Sequence, residues 1–226
     1  MAMFRCLVFA LLILALPVSA QQVTRAEAVA IGLSFVEHRW EPGSKSARHG
    51  KDAAGIEVHT PDREGGHVSP VEEGWVAGAT NIGMPYKWGG FDTLVQFDAG
   101  IRAGKTAGDV YTAEKRRLGG AAVSAQAVGI DCSGFVSRCW KLPKKHSTGM
   151  LFGICKRLPS AKDLLPGDVM NTSGGHVLLF VRWLDEIKSR ALFYEAAPFS
   201  KTRASERELV ELVEAGYAPL RYRHIR

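Results

Sequence analysis

The 226-residue sequence predicts an α+β fold, in which a helix packs on an antiparallel sheet. The first observation is an amphipathic pattern that begins at Cys132, where apolar residues recur at helical spacing as far as Trp140. The second is a series of three apolar segments, LLPGDVM, HVLLFVRWL and ALFYEAA, which turn residues separate. Hydrophobic residues make up 46% of the chain and charged residues 23%, a balance typical of a globular protein rather than a disordered one.

Residues 1–20, MAMFRCLVFALLILALPVSA, have the pattern of a secretory signal peptide. Arg5 is followed by an apolar run that Pro17 ends, and small residues then occupy the positions that a signal peptidase reads. A retained membrane helix is the weaker interpretation, because the run is shorter than the ~20 residues that span a bilayer. Cys6 lacks the small-residue context of a lipid-attachment site. We therefore expect export to the periplasm or the medium, without a membrane anchor.

The charge balance favours weak attraction to anionic polymers. Loss of Arg5 with the leader would reduce the net charge from +6 to +5, as expected for a mildly basic secreted domain such as one that meets a bacterial envelope. The basic residues are scattered and form no recognition motif, which argues against nucleic acid as a partner. The sequence contains no pattern from which an oligomeric state can be predicted.

Signals for secondary structure are uneven before Cys132. The segment TRAE at Thr24–Glu27 is a capping box, and the apolar residues that follow predict a helix that ends before Pro42. Residues 43–74 are rich in Gly, His, Lys and Asp, and they predict irregular structure with one extended piece at 56–59. A helix is expected from Val76, whereas residues 91–128 give no clear pattern.

Cys132 lies where a helix should begin. Asp131 is a good N-cap residue, which places Cys132 in the first turn, where the helix dipole favours a thiolate. The next residues, Ser133 and Gly134, are small and would let a substrate approach. On this helix alone, a cysteine packed in the core on the apolar face is an equally good interpretation.

A thiol nucleophile needs a base, and the base needs a group that orients it. His176 begins an apolar strand, where a polar side chain can face a cleft. If strands 176–182 and 189–195 pair directly, His176 faces Glu195, whose carboxylate would fix the imidazole tautomer. The alternatives without a catalytic role are that His176 is a structural histidine and that Glu195 lies on the surface of an edge strand. The other histidines lie mostly in polar, loop-like sequence and are expected to be solvated: His38, His49, His59, His67, His146 and His224.

Five motifs, PYKWGG, DCSGFV, LLPGDV, GGHV and FYEAA, occur in this order between Ala77 and Pro198. Together they resemble the NlpC-type peptidoglycan endopeptidases, a papain-like group of cell-wall cysteine peptidases. The resemblance implies a papain-like fold with Cys132 as nucleophile and His176 as base. It also implies that Tyr86 helps to bind substrate near the thiol.

The resemblance further implies stem peptides of peptidoglycan as the substrate, with the bond from the D-glutamate side-chain carboxyl to the diamino acid favoured. Asp131 and Ser133 flank the thiol and are assigned to substrate binding, Ser133 through its backbone N–H at an oxyanion site. Gly167 and Asp168 are expected to be structural turn residues.

The chain departs from the family pattern at two places. The third catalytic position, usually His, Asn or Gln, is Glu195 here, although a carboxylate can still orient an imidazole. The link between PYKWGG and DCSG has 40 residues, which is long for the family. We therefore divide the chain into a signal peptide (1–20), an extension of unknown role (21–75) and a catalytic domain (76–226) with an insertion at 91–128. The extension is either a separate targeting piece or an elaboration of the same fold.

No cofactor and no metal are predicted, since the spacings of Cys132, Cys139 and Cys155 lack the close pairs of common zinc sites. Cys132 and Cys139 would lie roughly 10 Å apart on one helix, too far for a disulfide. A bridge between Cys139 and Cys155 is possible in an oxidising compartment, and two buried reduced thiols are the alternative. Two other functions stay open: an amidase or esterase acting on a different substrate, and a silent envelope-binding module.

Overall fold

The computed structural model describes residues 22–68 and 74–226, and the predicted signal peptide lies outside them. Six α-helices are present in the described residues: α1 (Arg25–Val36), α2 (Leu94–Arg102), α3 (Ala113–Leu118), α4 (Cys132–Cys139), α5 (Thr148–Ile154) and α6 (Leu209–Glu214). The short strands are β1 (Arg39–Trp40), β2 (His49–Lys51), β3 (Glu57–His59), β4 (Asn81–Ile82), β5 (Thr106–Ala107) and β6 (Ala127–Val128). The remaining strands are β7 (Cys155–Arg157), β8 (Val169–Asn171), β9 (Val177–Trp183), β10 (Arg190–Ala196), β11 (Thr202–Glu208) and β12 (Ala218–Tyr222). Within the described ranges, no helix has the length and apolar character needed to cross a membrane.

Six of these strands form one antiparallel sheet in the order β11-β10-β9-β8-β12-β7. The three strands predicted from the sequence are β8, β9 and β10, although β8 begins only at Val169. Its predicted first half, LLPGD, is a turn, in which Gly167 adopts a φ of +84°. Helices combined with an antiparallel sheet agree with the predicted α+β class.

Helix α1 belongs to the same core as the sheet. Its predicted capping box is present, with the Thr24 and Glu27 side chains each accepting from the other residue's backbone N–H. Phe35 is buried and meets Phe135 of α4 edge to face, with ring centroids 5.8 Å apart. Trp40 and Trp75 are buried in the same cluster. Described residues of the 21–75 segment therefore contribute to the core that α4 and the sheet share.

Asp168 connects α1 to the sheet, in keeping with the structural role expected of it. Its carboxylate is fully buried and accepts from Arg25 of α1 at 3.1 Å and from Arg221 of β12 at 2.6 Å. The carbonyl of the preceding Gly167 accepts from the Trp140 indole at 2.9 Å. A buried carboxylate is costly unless it is paired, and here two arginines pair it.

The helix predicted from Val76 is wrong. Gly78 has a φ of +70°, which ends any helical path. The Asn81 side chain accepts from the backbone N–H of Val76 at 2.8 Å and donates to the carbonyl of Ala79 at 2.9 Å. Asparagine competes with helix formation through such local bonds, and the chain forms a turn that leads into β4.

The 91–128 segment contains α2 and α3, which the sequence analysis did not assign. Helix α2 begins with a capping box formed by Thr93 and Gln96, and α3 begins with Thr112, whose hydroxyl accepts from Lys115 N–H at 3.1 Å. The buried Phe97 attaches α2 to Trp40 with centroids 5.2 Å apart. Helix α2 is therefore part of the core.

The loop PYKWGG packs directly on the start of α4. A Cβ atom at Gly134 would lie 2.1 Å from the carbonyl oxygen of Gly90, so no other residue fits at that position without displacing backbone. Asp131 N–H donates to the same carbonyl at 3.2 Å. This close approach places Tyr86 and Cys132 against one cleft.

Candidate active site

Cys132 is the first residue of α4, as the sequence predicts. The Asp131 carboxylate caps the helix by accepting from Gly134 N–H at 2.7 Å, and it also accepts from the Ser133 hydroxyl at 3.0 Å. Cys132 is only 6% exposed, yet it lines a cleft of about 670 Å³ together with Tyr86 and His176. The thiol therefore lies at the floor of a cavity large enough for a peptide segment.

His176 follows a tight turn between β8 and β9. Its backbone N–H donates to the Thr172 hydroxyl at 2.9 Å, and its carbonyl accepts from Thr172 N–H at 2.9 Å. The turn is joined to α5, because Gly174 N–H donates to the Thr148 hydroxyl at 2.9 Å. These bonds hold the imidazole at the rim of β9, where it faces the cleft.

His176 Nε2 and Glu195 Oε2 lie 2.7 Å apart, but the predicted register is off by two residues. Tyr194 pairs with Leu179, so that Glu195 lies opposite Leu178 when the register is extended. A bulge between Leu192 and Phe193 changes the register within the hairpin. Because side chains alternate with a period of two, a two-residue shift keeps His176 and Glu195 on one face, and the contact is retained diagonally.

Glu195 also contacts two arginines that the sequence analysis missed. Its Oε1 accepts from Arg203 Nε at 3.3 Å and from Arg207 Nη2 at 2.8 Å, both on the neighbouring strand β11. Burial alone would raise the pKa of Glu195, but the hydrogen bond with His176 and the charges of His176, Arg207 and Arg203 outweigh it. The pKa is held well below its ordinary value, and Glu195 is an anion.

The imidazole of His176 stands between an acid and a thiol. Burial lowers the pKa of His176, but the neighbouring Cys132 thiol and Glu195 carboxylate more than compensate, and the net pKa is raised. Since Nε2 is engaged by Glu195, Nδ1 is the nitrogen that can exchange a proton with the thiol. Nδ1 is buried and has no hydrogen-bond partner among the described residues, so it is free to do so. The arrangement can hold a thiolate beside an imidazolium.

Tyr86 lies beside the thiol, as expected from its motif. It is buried, and its backbone N–H donates to the Ser200 carbonyl at 2.9 Å. Burial raises the pKa of Tyr86, and the negative charges of Cys132 and Asp131 raise it further. The phenol therefore stays protonated and can donate a hydrogen bond into the cleft.

We expect Tyr86→Phe to lower kcat/KM by about tenfold or more, because it removes a donor beside the reacting thiol. The melting temperature should change little, because the ring and its packing stay. Tyr194→Phe is the matched control, since Tyr194 is a buried tyrosine of β10 that packs beside Gly32, outside the cleft. Equal kinetics in the two variants, with a lower melting temperature for Tyr86→Phe, would assign Tyr86 to packing alone.

Asp131 and Ser133 both line the cleft, but their side chains are committed to the helix start. The second carboxylate oxygen of Asp131 forms an ion pair with Lys145. No acceptor among the described residues takes the backbone N–H of Ser133 or Cys132. These two N–H groups are therefore available to a ligand, whereas the Asp131 carboxylate is not.

The cleft has an aromatic wall and two cations that sequence reasoning missed. Trp88 meets Tyr111 at a centroid distance of 5.7 Å, and Tyr111 meets Phe199 at 6.1 Å. Arg116 of α3 and Lys145 line the same cleft. Trp88 belongs to the PYKWGG motif, but Tyr111 and Arg116 come from the 91–128 segment and carry no local signal of a site.

Of the two alternatives for Cys139 and Cys155, the structure has the second: both cysteines are free and buried. Cys139 lies in the last turn of α4 within the core, whereas Cys155 begins β7 and pairs with Tyr222 of β12. Burial raises the pKa of the Cys155 thiol to about 12 and that of the Cys139 thiol further. Both behave as small apolar core residues.

Comparison of the chain with protein-family models, with curated proteins and with solved structures finds no match.

Proposed function

We propose that the protein is an exported cysteine hydrolase that cleaves an amide bond in peptidoglycan stem peptides. The observation that carries this proposal is that Cys132 and His176 line one cleft, while Glu195 lies behind His176 with its Oε2 2.7 Å from Nε2. A thiol at a helix start, a base beside it and an anion behind the base are the three parts that thiol catalysis requires. The proposed fold is papain-like, with the nucleophile on α4 and the base on the sheet.

The first half of the reaction follows from these positions. The Cys132 thiolate attacks the carbonyl carbon of the scissile amide, forming the C–S bond of a tetrahedral intermediate. His176 then gives its Nδ1 proton to the leaving nitrogen as the C–N bond breaks, and a thioester remains on Cys132. Glu195 keeps Nε2 protonated throughout, which directs the exchangeable proton to Nδ1.

The second half returns the enzyme to its resting state. A water molecule gives a proton to His176 Nδ1 while its oxygen attacks the thioester carbon. The C–S bond breaks, the carboxylic acid leaves, and the thiolate reforms beside the imidazolium. In both halves the developing oxyanion can accept from the free N–H groups of Cys132 and Ser133 at the helix N-terminus.

The charge of the cleft supports an anionic peptide as substrate. Lys145 is neutralised by Asp131, but the exposed Arg116 guanidinium has no hydrogen bond or ion pair among the described residues. Stem peptides carry free carboxylates close to the bond that the family resemblance favours. A planar guanidinium binds a carboxylate through two parallel hydrogen bonds, and Arg116 is placed to do so.

We therefore expect Arg116→Gln to raise KM for a carboxylate-bearing stem peptide about tenfold, with kcat nearly unchanged. Arg117→Gln is the matched control, because Arg117 is the next residue of α3 and is exposed and paired with Glu114 at 2.6 Å. Steady-state kinetics with the peptide and with its carboxamide analogue tests this. An equal loss for both substrates, or an equal effect in Arg117→Gln, would contradict the carboxylate assignment.

Incubation of protein lacking residues 1–20 with defined stem peptides, analysed by mass spectrometry against Cys132→Ala, tests the function itself. Thiol-dependent cleavage between D-glutamate and the diamino acid is the expected product pattern. Thiol-dependent cleavage of simple amides or esters alone would instead identify the alternative amidase or esterase. Absence of turnover on both substrate classes, with retained binding to cell-wall material, would indicate the silent binding module.

A further inference from the structure

Three histidines that the sequence analysis expected to be solvated lie together, away from the cleft. His49 of β2 and His59 of β3 are direct partners across a hairpin, and His67 follows a short 3-10 helix at Arg63–Gly65. One ligand nitrogen from each lies within 4.8 Å of the other two. The rings are stacked, with centroids 3.9 Å apart for His59 and His67 and 5.3 Å apart for His49 and His67.

Carboxylates orient two of these imidazoles. His49 Nε2 lies 2.9 Å from the buried Asp62 carboxylate, which also accepts from the Thr60 hydroxyl at 2.6 Å. His59 Nε2 lies 3.3 Å from Glu57. In both residues Nδ1 is the remaining nitrogen, and in His59 it is buried without a hydrogen-bond partner among the described residues. Histidines that ligate a metal typically donate their other N–H to a carboxylate in this way.

The surrounding chain leaves room for the rings. A Cβ atom at Gly65 would lie 1.9 Å from His49 Cε1, so the absence of a side chain at Gly65 lets the 3-10 turn approach this ring closely.

We propose that His49, His59 and His67 bind one Zn²⁺ ion through their free nitrogens, with Asp62 positioning His49. Zinc accepts imidazole nitrogens at about 2.0–2.1 Å in tetrahedral geometry, which places ligand nitrogens roughly 3.4 Å apart. His49 and His67 are exposed and can close the remaining distance by side-chain rotation. A water molecule completes the fourth position. Imidazole sets favour zinc, copper and nickel over calcium or magnesium.

This site would fasten the loop at 61–67 to the β2–β3 hairpin. The hairpin in turn supports the cleft, because His59 N–H donates to Asp109 Oδ1 at 3.1 Å and Asp109 N–H donates to the Tyr86 carbonyl at 2.8 Å. None of the three histidines lines the cleft, so the zinc site does not depend on the proposed hydrolase function.

Calorimetric titration of ZnCl₂ into tag-free, chelator-treated Cys132→Ala protein tests the proposal, since that variant lacks the thiol that could compete for zinc. We expect one ion per chain, and at least a tenfold weaker affinity in His49→Ala and in His67→Ala. Asp62→Asn should weaken binding by about 10- to 100-fold without changing the stoichiometry. His224→Ala, which removes an exposed histidine outside the cluster, should bind as the parent does.

Circular dichroism of the apo variants checks that each one is folded, which we expect because His49 and His67 are exposed. Saturating zinc should raise the melting temperature of the parent by several degrees, but not that of the His49→Ala/His67→Ala double variant. Absence of saturable binding by the parent, or unchanged affinity in the double variant, would overturn the proposal.

Discussion

Cys132→Ala is expected to lower stem-peptide turnover by roughly four orders of magnitude or more, with the melting temperature within a few degrees of the parent. The Cys132 thiol is the group that His176 contacts, and no other thiol lines the cleft among the described residues. The substitution removes one buried sulfur at a helix start, while the Asp131 cap stays in place. Initial rates from product mass spectrometry and thermal melts followed by circular dichroism measure the two quantities.

Cys155→Ala is the matched control, because it removes a buried thiol outside the cleft and should retain turnover. Iodoacetamide should also label Cys132 in the native protein and leave Cys139 and Cys155 unlabelled until denaturation. Burial raises the pKa of both of these thiols, so neither forms a thiolate near neutral pH. Near-normal turnover in Cys132→Ala would remove Cys132 from the mechanism.

Glu195→Gln should reduce turnover by about 100-fold and destabilise the fold by about 3 kcal/mol. From sequence alone this substitution should cost less than loss of Cys132 or His176, because an amide oxygen can still accept from the imidazole. The two arginines change this expectation, since the carboxylate accepts from three donors and is only 2% exposed. Glutamine would leave the cations of Arg203 and Arg207 without their anion and would direct an NH₂ group toward donors.

Denaturant unfolding and steady-state kinetics of Glu195→Gln measure these losses. Glu206→Gln is the control, because Glu206 is an exposed glutamate of β11 that pairs with Arg190 at 2.7 Å and should change stability by less than about 0.5 kcal/mol. Equal losses of stability and turnover in the two variants would show that the contacts of Glu195 with His176, Arg203 and Arg207 contribute no more than an exposed ion pair does.

The same variant gives a pH signature. The folded-state pKa of Glu195 is depressed below its ordinary value of 4.5, so its stabilising contribution is present above that pH and is lost as pH falls through the folded-state pKa. The parent should therefore lose more unfolding free energy than Glu195→Gln between about pH 5 and pH 3. Other carboxylates titrate in both proteins, and the difference isolates this one. Parallel acid profiles would contradict the assignment.

The position of Cys132 at a helix start and the contact of His176 with Glu195 could be predicted from the sequence, because both depend on local patterns. The N-cap at Asp131 fixes the start of α4, and the parity of the β9–β10 hairpin places His176 and Glu195 on one face. The observed register differs from the predicted one by two residues, and the bulge between Leu192 and Phe193 has no local signal in the sequence. The arginines were missed because β11, TRASERE, is an edge strand with little apolar alternation, which is the pattern that identifies strands in sequence.

Two further elements were not predicted, for different reasons. Helix α2 could have been predicted, because the sequence contains its capping box at Thr93–Gln96. The histidine cluster depends on a hairpin whose turn is made by Asp52, which accepts from the N–H groups of Ala54 and Ile56, and by Gly55 at a φ of +79°. This turn could have been predicted from the sequence. The approach of His67 to the other two histidines could not, because it depends on the tertiary path of the loop that follows the hairpin.

The position of β12 sets the order in which the molecule can be completed. This strand, at 218–222, lies inside the sheet between β8 and β7, and Val23 pairs beyond it with Ile225. Strand β7, which directly follows α5, pairs only with β12 among the described strands, so it has no place in the sheet until residues 218–222 have joined it. Since Thr148 of α5 holds the turn before His176, the imidazole reaches its final position only once β12 is in place. A chain cut before Ala218 should therefore lack a correctly placed His176, so that the proposed hydrolase would stay inactive until β12 has joined the sheet.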